Sequence, residues 1–332
     1  MARPSFPRSL AEFQARFSEE EACARYLAES RWPDGFRCPR CEHQAAYVLP
    51  KRWLWQCKGC KRQTSTTAGT VLHRTRVPLM QWFQAAYLVS TITPGLSAVQ
   101  LQRQLGLGTY ETAWTMLHRL RRAMLRPDRD QLTGPVEVDE SFMGATRSGK
   151  RGRGAAGKVL VIGAVEVRGE GSGRARLAVI PSASQSALEG FVQGHVVEGS
   201  TVFTDGWAGY DRLQTLGYHH QPENQGGKRN PRQILPRIHR VFSNLKTWLA
   251  GTHHGVSSKN VPAYLREFEF RFNRRRTPMA AFQSRLGLTS RHPPKPVRRR
   301  PLRSQSDKHV LRFTSRRRTA ARPSSAWTRS TS

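Results

Sequence analysis

The spacing of apolar and polar residues predicts a helical start, a short β-rich stretch and a second helical stretch. Residues 9–29 have the period of an α-helix, and their large apolar side chains share one face of a single amphipathic helix. Those side chains are Leu10, Phe13, Phe17 and Leu27. Cys23 lies in the same helix, where we expect a small buried thiol.

Further along the chain the pattern changes twice. Residues 36–62 predict short β segments, and residues 78–125 predict three helices separated at Pro94–Gly95 and Gly106–Gly108. Strand-like segments then alternate with one helix up to residue 205, and two more helices follow. The strand-like segments are VEVDESFMG, KVLVIGAVEV, ARLAVIP and STVFTD, and the helices lie near 184–196, 233–250 and 258–275.

Four of the five cysteines form two Cys-x-x-Cys pairs with fifteen residues between them. This spacing suits two knuckles that close a tetrahedral zinc site. The ligands would be Cys38, Cys41, Cys57 and Cys60. Because four thiolates leave no open coordination position, the Zn²⁺ is expected to be structural. A redox dithiol is the alternative interpretation of the spacing.

The segments around these cysteines predict a small β ribbon. We expect Gly59 to adopt the positive φ of a knuckle turn, and Tyr47-Val48 to pair with Trp53–Trp55. Basic residues surround the site and suit either phosphate contacts or a solvated surface. They are Lys51, Arg52, Lys58, Lys61 and Arg62.

The three helices after the ribbon fit a helix-turn-helix. Pro78 suits the first turn of the first helix, and Ser97 and Thr109 suit the caps of the next two. The third helix has an apolar stripe of Ala113, Leu117, Leu120 and Met124, and its other face carries His118, Arg119, Arg121 and Arg122. Such a basic helix favours the DNA major groove. An ordinary helical linker is the alternative.

Two of the predicted strands place an aspartate near their ends. Asp139 follows VEV, and Asp205 ends TVFTD. A single aspartate at a strand end is usually a turn or capping residue. Two of them flanking three strands and a helix fit a ribonuclease-H-like core, in which the first and fourth strands are neighbours. The two carboxylates would then hold two Mg²⁺ ions about 4 Å apart and open to phosphate.

The charge balance indicates a polyanionic partner. The chain has 55 Lys and Arg against 23 Asp and Glu, a net charge of +32. Residues 291–332 hold 13 basic residues and one acid, which leaves 42 against 22, or +20, before them. We therefore expect the chain to bind DNA. A membrane surface is the weaker alternative, because no basic stretch has a clean apolar face.

The sequence also predicts the compartment. MARPSFPRSL has no apolar signal-peptide segment, and no apolar run approaches the length of a transmembrane helix. We expect a cytoplasmic protein with no membrane partner. Cysteines in that compartment are better explained as metal ligands than as disulfides.

In this order, the motifs resemble bacterial insertion-sequence transposases of the DDE type with an N-terminal zinc ribbon, the ISXO-like group. The resemblance covers roughly residues 8–285 and rests on CPRC…CKGC with TSTTAGTVLH, on VEVDESFMG, on TDGWAGY, and on SNLKTWLAGTHHGVS with YLREFEFRFNRR. It implies that Asp139 and Asp205 are the first two ligands of catalytic Mg²⁺ or Mn²⁺. It also implies that Lys246 lies on the helix supplying the third, and that the protein acts at the bacterial nucleoid.

The third ligand departs from the DDE pattern. The resemblance places the last acid seven residues before the basic residue of that helix, and His239 stands there. Some relatives have Asn instead of the acid, which makes the nearby Asn244 a second candidate. Helix geometry favours His239, because positions 239, 243 and 246 share a face. Neither side chain supplies negative charge.

The resemblance and the residues together predict a transposase. It would bind the terminal inverted repeats of its element, cleave a strand and join the freed 3′-hydroxyl to target DNA, acting as a homo-oligomer on DNA. A catalytically impaired or domesticated DNA-binding protein is one alternative, since the third acid is missing. The second alternative is a different ribonuclease-H-like nuclease, such as a junction resolvase, but that function does not explain the ribbon and the helix-turn-helix.

The fold class expected is a multidomain α+β or α/β protein. Its parts would be an N-terminal helical segment (1–35), a zinc ribbon (36–75), a helix-turn-helix DNA-binding domain (76–130), a ribonuclease-H-like mixed-sheet catalytic core (131–285) and a disordered Arg-rich tail (286–332).

Overall fold

The computed structural model describes residues 7–49, 52–124, 129–144, 158–223, 234–277 and 282. The predicted tail at 286–332 and Lys51 lie outside these residues. The elements in chain order are α1 (Leu10–Arg16), α2 (Glu20–Arg31), β1 (Ala46–Leu49), β2 (Leu54–Cys57), β3 (Gln63–Ser65), α3 (Leu79–Thr91), α4 (Ala98–Leu105), α5 (Tyr110–Arg122), β4 (Pro135–Gly144), β5 (Lys158–Arg168), β6 (Gly171–Ile180), α6 (Gln185–His195), β7 (Thr201–Thr204), β8 (His219–Pro222), α7 (Pro236–His253) and α8 (Val261–Asn273).

The single helix predicted at 9–29 is two helices, because the chain turns after Phe17. The turn lets Phe17 and Tyr26 of the second helix meet edge to face in the core, while Leu10 remains exposed. Both carboxylate oxygens of Glu20 accept backbone N–H groups at the start of α3. These hydrogen bonds connect the first residue of α2 to the first turn of α3. Cys23 is buried as predicted, and burial raises the pKa of its thiol to about 12.

The ribbon is a three-stranded antiparallel sheet in the order β1-β2-β3. Val48 pairs with Trp55 as predicted, but Trp53 lies in the turn before β2 with φ 49°. The prediction for Gly59 is wrong, because positive φ occurs at Glu42 and Lys61. Each of these residues follows the second cysteine of a pair. The left-handed residue of the second pair is therefore Lys61, two positions after the glycine.

The caps of α4 and α5 agree with prediction. The Ser97 hydroxyl accepts the Gln100 N–H, and the Gln100 side chain accepts the Ser97 N–H in return. Gly106 ends α4 in the left-handed conformation, and Thr109 caps α5. The predicted apolar stripe of α5 is buried. Pro78 stands just before α3, as its N-cap residue.

Part of the basic face of α5 contacts other parts of the protein, which the sequence did not predict. Arg121 is 1% exposed, and its Nε donates to Oε2 of Glu267 on α8 at 2.7 Å. Arg119 donates to backbone carbonyls of the segment that precedes α3. The His118 ring packs on Trp114, with 3.9 Å between centroids. The ion pair with Glu267, which is distant in the sequence, thus keeps Arg121 buried against α8.

A buried ion network joins α5 to the end of α3 through α8. Glu267 is 0% exposed and also faces Arg271, at 3.6 Å. Arg271 in turn donates to the carbonyls of Ile92 and Thr93. The Arg121 guanidinium lies 4.0 Å from the centroid of the Tyr264 ring. α5 and the end of α3 are therefore connected to α8 by polar contacts, of which the pair between Arg121 and Glu267 is buried.

Replacing Arg121 with Ala should lower the free energy of unfolding by about 3–5 kcal/mol, because it leaves the Glu267 carboxylate buried without its main partner. Chemical denaturation measures this. The matched control is Arg25→Ala, whose pair with Glu21 is exposed and should contribute less than about 1 kcal/mol. A loss no larger than that of the control would contradict a stabilising contact at Arg121.

Acid should weaken the same region. Burial lowers the pKa of His118 to about 3 and that of His253 to about 4. In the unfolded chain both titrate near 6.5, so below that pH the unfolded state takes up the protons and gains stability. Between pH 7 and pH 5 each histidine should cost about 2 kcal/mol of folding free energy. Urea unfolding at the two pH values measures this loss. If the double variant His118→Gln, His253→Gln loses as much unfolding free energy between pH 7 and pH 5 as the unmodified protein, the prediction is contradicted.

The larger sheet is mixed, with the strand order β6-β5-β4-β7-β8. β6, β5 and β4 are antiparallel neighbours, whereas β4, β7 and β8 are parallel. Side chains from α6 pack on one face, and side chains from α7 and α8 pack on the other. This mixed α/β arrangement is consistent with the ribonuclease-H-like core that was predicted, and it makes β4 and β7 neighbours.

Candidate functional sites

The four cysteines of the two knuckles converge. Their sulfur atoms all lie within 4.8 Å of one another, with 3.6 Å between Cys38 and Cys60 and 3.6 Å between Cys41 and Cys57. A tetrahedral zinc with Zn–S bonds of about 2.3 Å would separate its sulfurs by about 3.8 Å. The thiolates therefore fit Zn²⁺, as the spacing predicted. Within the described ranges, no other group of three or more such ligands is as tight.

The two predicted aspartates lie on and directly after neighbouring parallel strands. Glu137 on β4 is paired with Phe203 on β7 in a parallel register. Asp139 lies two residues further along β4, and Asp205 directly follows the last residue of β7, so both lie at the same edge of this strand pair. The period of two along a strand also places both aspartates on the α7 side of the sheet, where Phe203 packs. Both residues are partly exposed.

The side chain of His239 on α7 points toward Asp139. Its Nε2 lies 3.1 Å from Oδ2 of Asp139, and the Asp139 side chain is 14% exposed. The hydrogen bond with Asp139 raises the pKa of His239, against the opposing effect of burial. The negative charges of Glu137 and Asp205 raise it further. Asp205 is thus within electrostatic reach of His239.

Glu137, which the sequence analysis missed, holds α7 in place. Its Oε2 accepts the backbone N–H groups of Arg237 and Ile238 at 2.7 and 2.8 Å, and its Oε1 accepts from the Arg237 guanidinium at 2.9 Å. Leu235, the N-cap residue, is left-handed and provides no side-chain cap. The buried carboxylate therefore replaces the missing cap. The alternation in VEVDE shows that Glu137 and Asp139 share a face, but no local signal reveals the helix that Glu137 caps.

Lys246 and Asn244 lie in different surroundings on α7. Lys246 Nζ donates to the hydroxyl of Ser141, two residues after Asp139 on β4, at 2.8 Å. Asn244 instead lines a groove of about 930 Å³ together with Val99, Tyr110 and other residues of the three-helix region. His239 and Lys246 therefore both reach β4, and Asn244 faces the helices. This geometry favours His239 as the third candidate ligand.

The loop after β7 is fastened to β4. Asp205 Oδ1 accepts the backbone N–H of Trp207 at 3.0 Å, and the hydroxyl of buried Tyr210 donates to Glu140 Oε2 at 2.8 Å. Burial raises the pKa of Tyr210, and the charges of Glu140, Asp139 and Asp205 add to that rise. Both aspartates therefore lie near the Tyr210 ring. The loop sets the position of Asp205 relative to β4.

The site suits a divalent cation with oxygen-rich ligands. Two carboxylates and one imidazole could hold Mg²⁺ or Mn²⁺ and would leave coordination positions open for water or phosphate oxygens. The partial exposure of Asp139, Asp205 and His239 allows a DNA strand to approach.

In the part of the chain that the structure describes, no helix is long and apolar enough to cross a membrane.

Comparison with known proteins identifies two domains of this chain. Residues 131–273, which contain β4 to α8, match the ISXO2-like transposase domain, and residues 18–63 match the transposase zinc-ribbon domain. A protein of Halobacterium salinarum, described as an uncharacterized protein in transposable element ISH50, is 30% identical over 279 residues, which is 77% of this chain and 91% of the relative. The chain belongs to the ISXO2-like family of insertion-sequence transposases, with the family's zinc ribbon at its N-terminal side.

Proposed function

We propose that the protein binds the terminal inverted repeats of its insertion sequence and catalyses metal-dependent strand cleavage and strand transfer. The observation that carries the proposal is the 3.1 Å contact of His239 with Asp139 on β4, and it is supported by the parallel pairing of β4 with β7, the strand that Asp205 follows. Adjacent carboxylates open to solvent are what phosphoryl transfer with divalent metals requires. A homo-oligomer on DNA would bring the two ends of the element together.

Asp139, Asp205 and His239 would hold the metal ions. When bound, Mg²⁺ or Mn²⁺ supplies charge stabilisation at the scissile phosphate and favours deprotonation of the attacking hydroxyl. His239 must give up its proton to act as a ligand, so its pair with Asp139 keeps the ring in place until then. Lys246, held by Ser141 on the same strand, adds positive charge where the phosphate would lie.

Arg121 of α5 is buried, so the DNA contacts would come from other basic residues. Lys58, Lys61 and Arg62 of the ribbon are exposed, as is Arg103 on α4. We place phosphate contacts there, because exposed Lys and Arg release counterions from DNA when they bind it. Arg74, also exposed, lines a shallow groove beside the N-terminal half of α5 and extends this surface. The groove keeps part of α5 accessible to DNA.

A DNA-binding protein without cleavage activity is the second candidate function. The observation that favours it is His239, a neutral or cationic side chain where DDE relatives have an acid. Its pairing with Asp139 would then be structural. In that case the ribbon and the helices would still bind the element's ends.

One assay separates the two candidates. Purified protein is incubated with Mg²⁺ and DNA that carries the terminal repeats flanking the element. A transposase should nick at the 3′ ends of the repeats, and a scrambled repeat should abolish the nick. Binding to the repeats without any nick in Mg²⁺ or Mn²⁺ would support the second candidate. Cleavage of branched DNA of any sequence would support another nuclease.

His239 and Asn244 can be distinguished in the same assay. We expect His239→Ala to lower Mg²⁺-dependent nicking about 10- to 100-fold, because one metal ligand is lost. His239→Glu should retain activity, since it restores a charged ligand. Asn244→Ala is the matched control from the same helix and should nick like the unmodified protein. If Asn244→Ala is inactive and His239→Ala is not, Asn244 is the ligand.

A further inference from the structure

Trp207 is exposed in a place where a tryptophan has no role in the core. It lies two residues after Asp205, and 41% of it is exposed. Its position is nevertheless defined, because its backbone N–H donates to Asp205 Oδ1 at 3.0 Å and its Nε1 donates to the carbonyl of Ala183 at 3.3 Å. The indole is therefore held beside the acidic site with part of its surface toward solvent.

Gly209 makes room for this indole. A Cβ at position 209 would lie 2.8 Å from Trp207 Nε1, 2.9 Å from its Cδ1 and 2.7 Å from Leu188 Cδ1. The ring thus packs closely over the glycine backbone. Anchoring of the loop does not require Trp207, because the buried Tyr210 already connects the loop to Glu140 of β4. Part of the indole surface is exposed near Asp205.

We propose that Trp207 is a stacking platform for an unpaired nucleobase next to the scissile phosphate. The inference rests on the proposed function, because that function defines which phosphate is cleaved. The partner of a chain with net charge +32 is a polyanion, and the flat apolar surfaces of a nucleic acid are its bases. Bases within a duplex cover one another. An indole beside the acidic site therefore suits a base released from pairing, as at an open strand end.

Such a platform would position the DNA strand. Stacking of one base on the indole holds the adjoining sugar and phosphate at a set distance from Asp205, which shares a hydrogen bond with Trp207. Stacking does not distinguish bases strongly, since every base has a π-face. The platform would therefore favour open ends over paired ones without choosing a sequence.

The test uses the full-length protein and random-sequence DNA without added divalent metal. One probe is a duplex with a short single-stranded 3′ overhang that carries 2-aminopurine, and the other is the same duplex with blunt ends. The unmodified protein should quench 2-aminopurine and prefer the overhang. Trp207→Ala should lose the quenching and bind the overhang DNA about 10- to 100-fold more weakly, with unchanged affinity for the blunt duplex.

Two further variants make the outcome specific. Trp207→Phe should retain most of the preference, because an aromatic ring remains. Tyr47→Ala, which removes an exposed aromatic ring of the ribbon, is the matched control and should leave the preference intact. Equal loss in Trp207→Phe and Trp207→Ala would overturn stacking in favour of the indole hydrogen bond to Ala183. An unchanged preference in Trp207→Ala would overturn the inference as well.

The outcomes separate this inference from the proposed function. If terminal-repeat DNA is nicked but Trp207→Ala behaves like the unmodified protein with both probes, the stacking platform is wrong and the transposase stands. If no nicking occurs but Trp207→Ala loses the overhang preference, the platform stands without the transposase activity.

Discussion

Asp139→Asn and Asp205→Asn are each expected to lower Mg²⁺-dependent nicking of terminal-repeat DNA by at least about 1,000-fold. An amide cannot supply the charge that holds the metal, and loss of that metal removes several kcal/mol of transition-state stabilisation. Affinity for the same DNA should stay nearly unchanged, because the phosphate contacts are proposed to lie elsewhere. Gel shifts and strand-specific nicking measure the two effects separately.

Asp211→Asn is the matched control for these variants. Asp211 is an exposed carboxylate in the 3₁₀ turn after Asp205, Ala208–Leu213, and it has no proposed part in metal binding. Nicking by this variant should be normal. If Asp139→Asn or Asp205→Asn nicks at the unmodified rate, the acidic site is misplaced. Loss of DNA binding together with nicking would assign the aspartates to folding instead of chemistry.

Loss of the zinc is expected to unfold the ribbon. The protein should contain about one zinc per chain, and Cys38→Ser or Cys57→Ser should release it. The ribbon strands are short, so most of their stability would come from the metal, whose binding in small zinc domains contributes about 10–16 kcal/mol. Elemental analysis gives the zinc content, and limited proteolysis should show new cleavage within residues 36–75.

Cys23→Ser provides the control for the zinc variants. Its thiol is buried among the apolar residues of α2 and α3, apart from the four converging sulfurs. The variant should keep its zinc even if it is somewhat less stable. Protein purified without chelator that contains no zinc would contradict a zinc site, and loss of zinc in Cys23→Ser would contradict the choice of ligands.

Local sequence determined the features that depend on neighbouring residues. The two Cys-x-x-Cys pairs predicted the cluster of four sulfurs, because a knuckle is built from consecutive residues. Ser97, Gly106 and Thr109 marked the ends of α4 and α5, because caps bond to backbone groups within three or four residues. The apolar runs predicted β4 to β7 and the helices that cover the sheet, but not β8, whose sequence HHQP has no apolar run.

Features that depend on distant partners were decided by the tertiary structure alone. In the sequence, Arg121 stands among other basic residues, which suggests a DNA-binding face. In the structure, Arg121 is instead paired with Glu267, 146 residues later. Glu137 caps a helix whose first residues lie 100 positions away. His239 contacts β4 whereas Asn244 lines a groove beside the three helices, and this orientation of α7 depends on its packing against the sheet. Charge and periodicity show which residues can pair, whereas the packing of the chain decides which partners they meet.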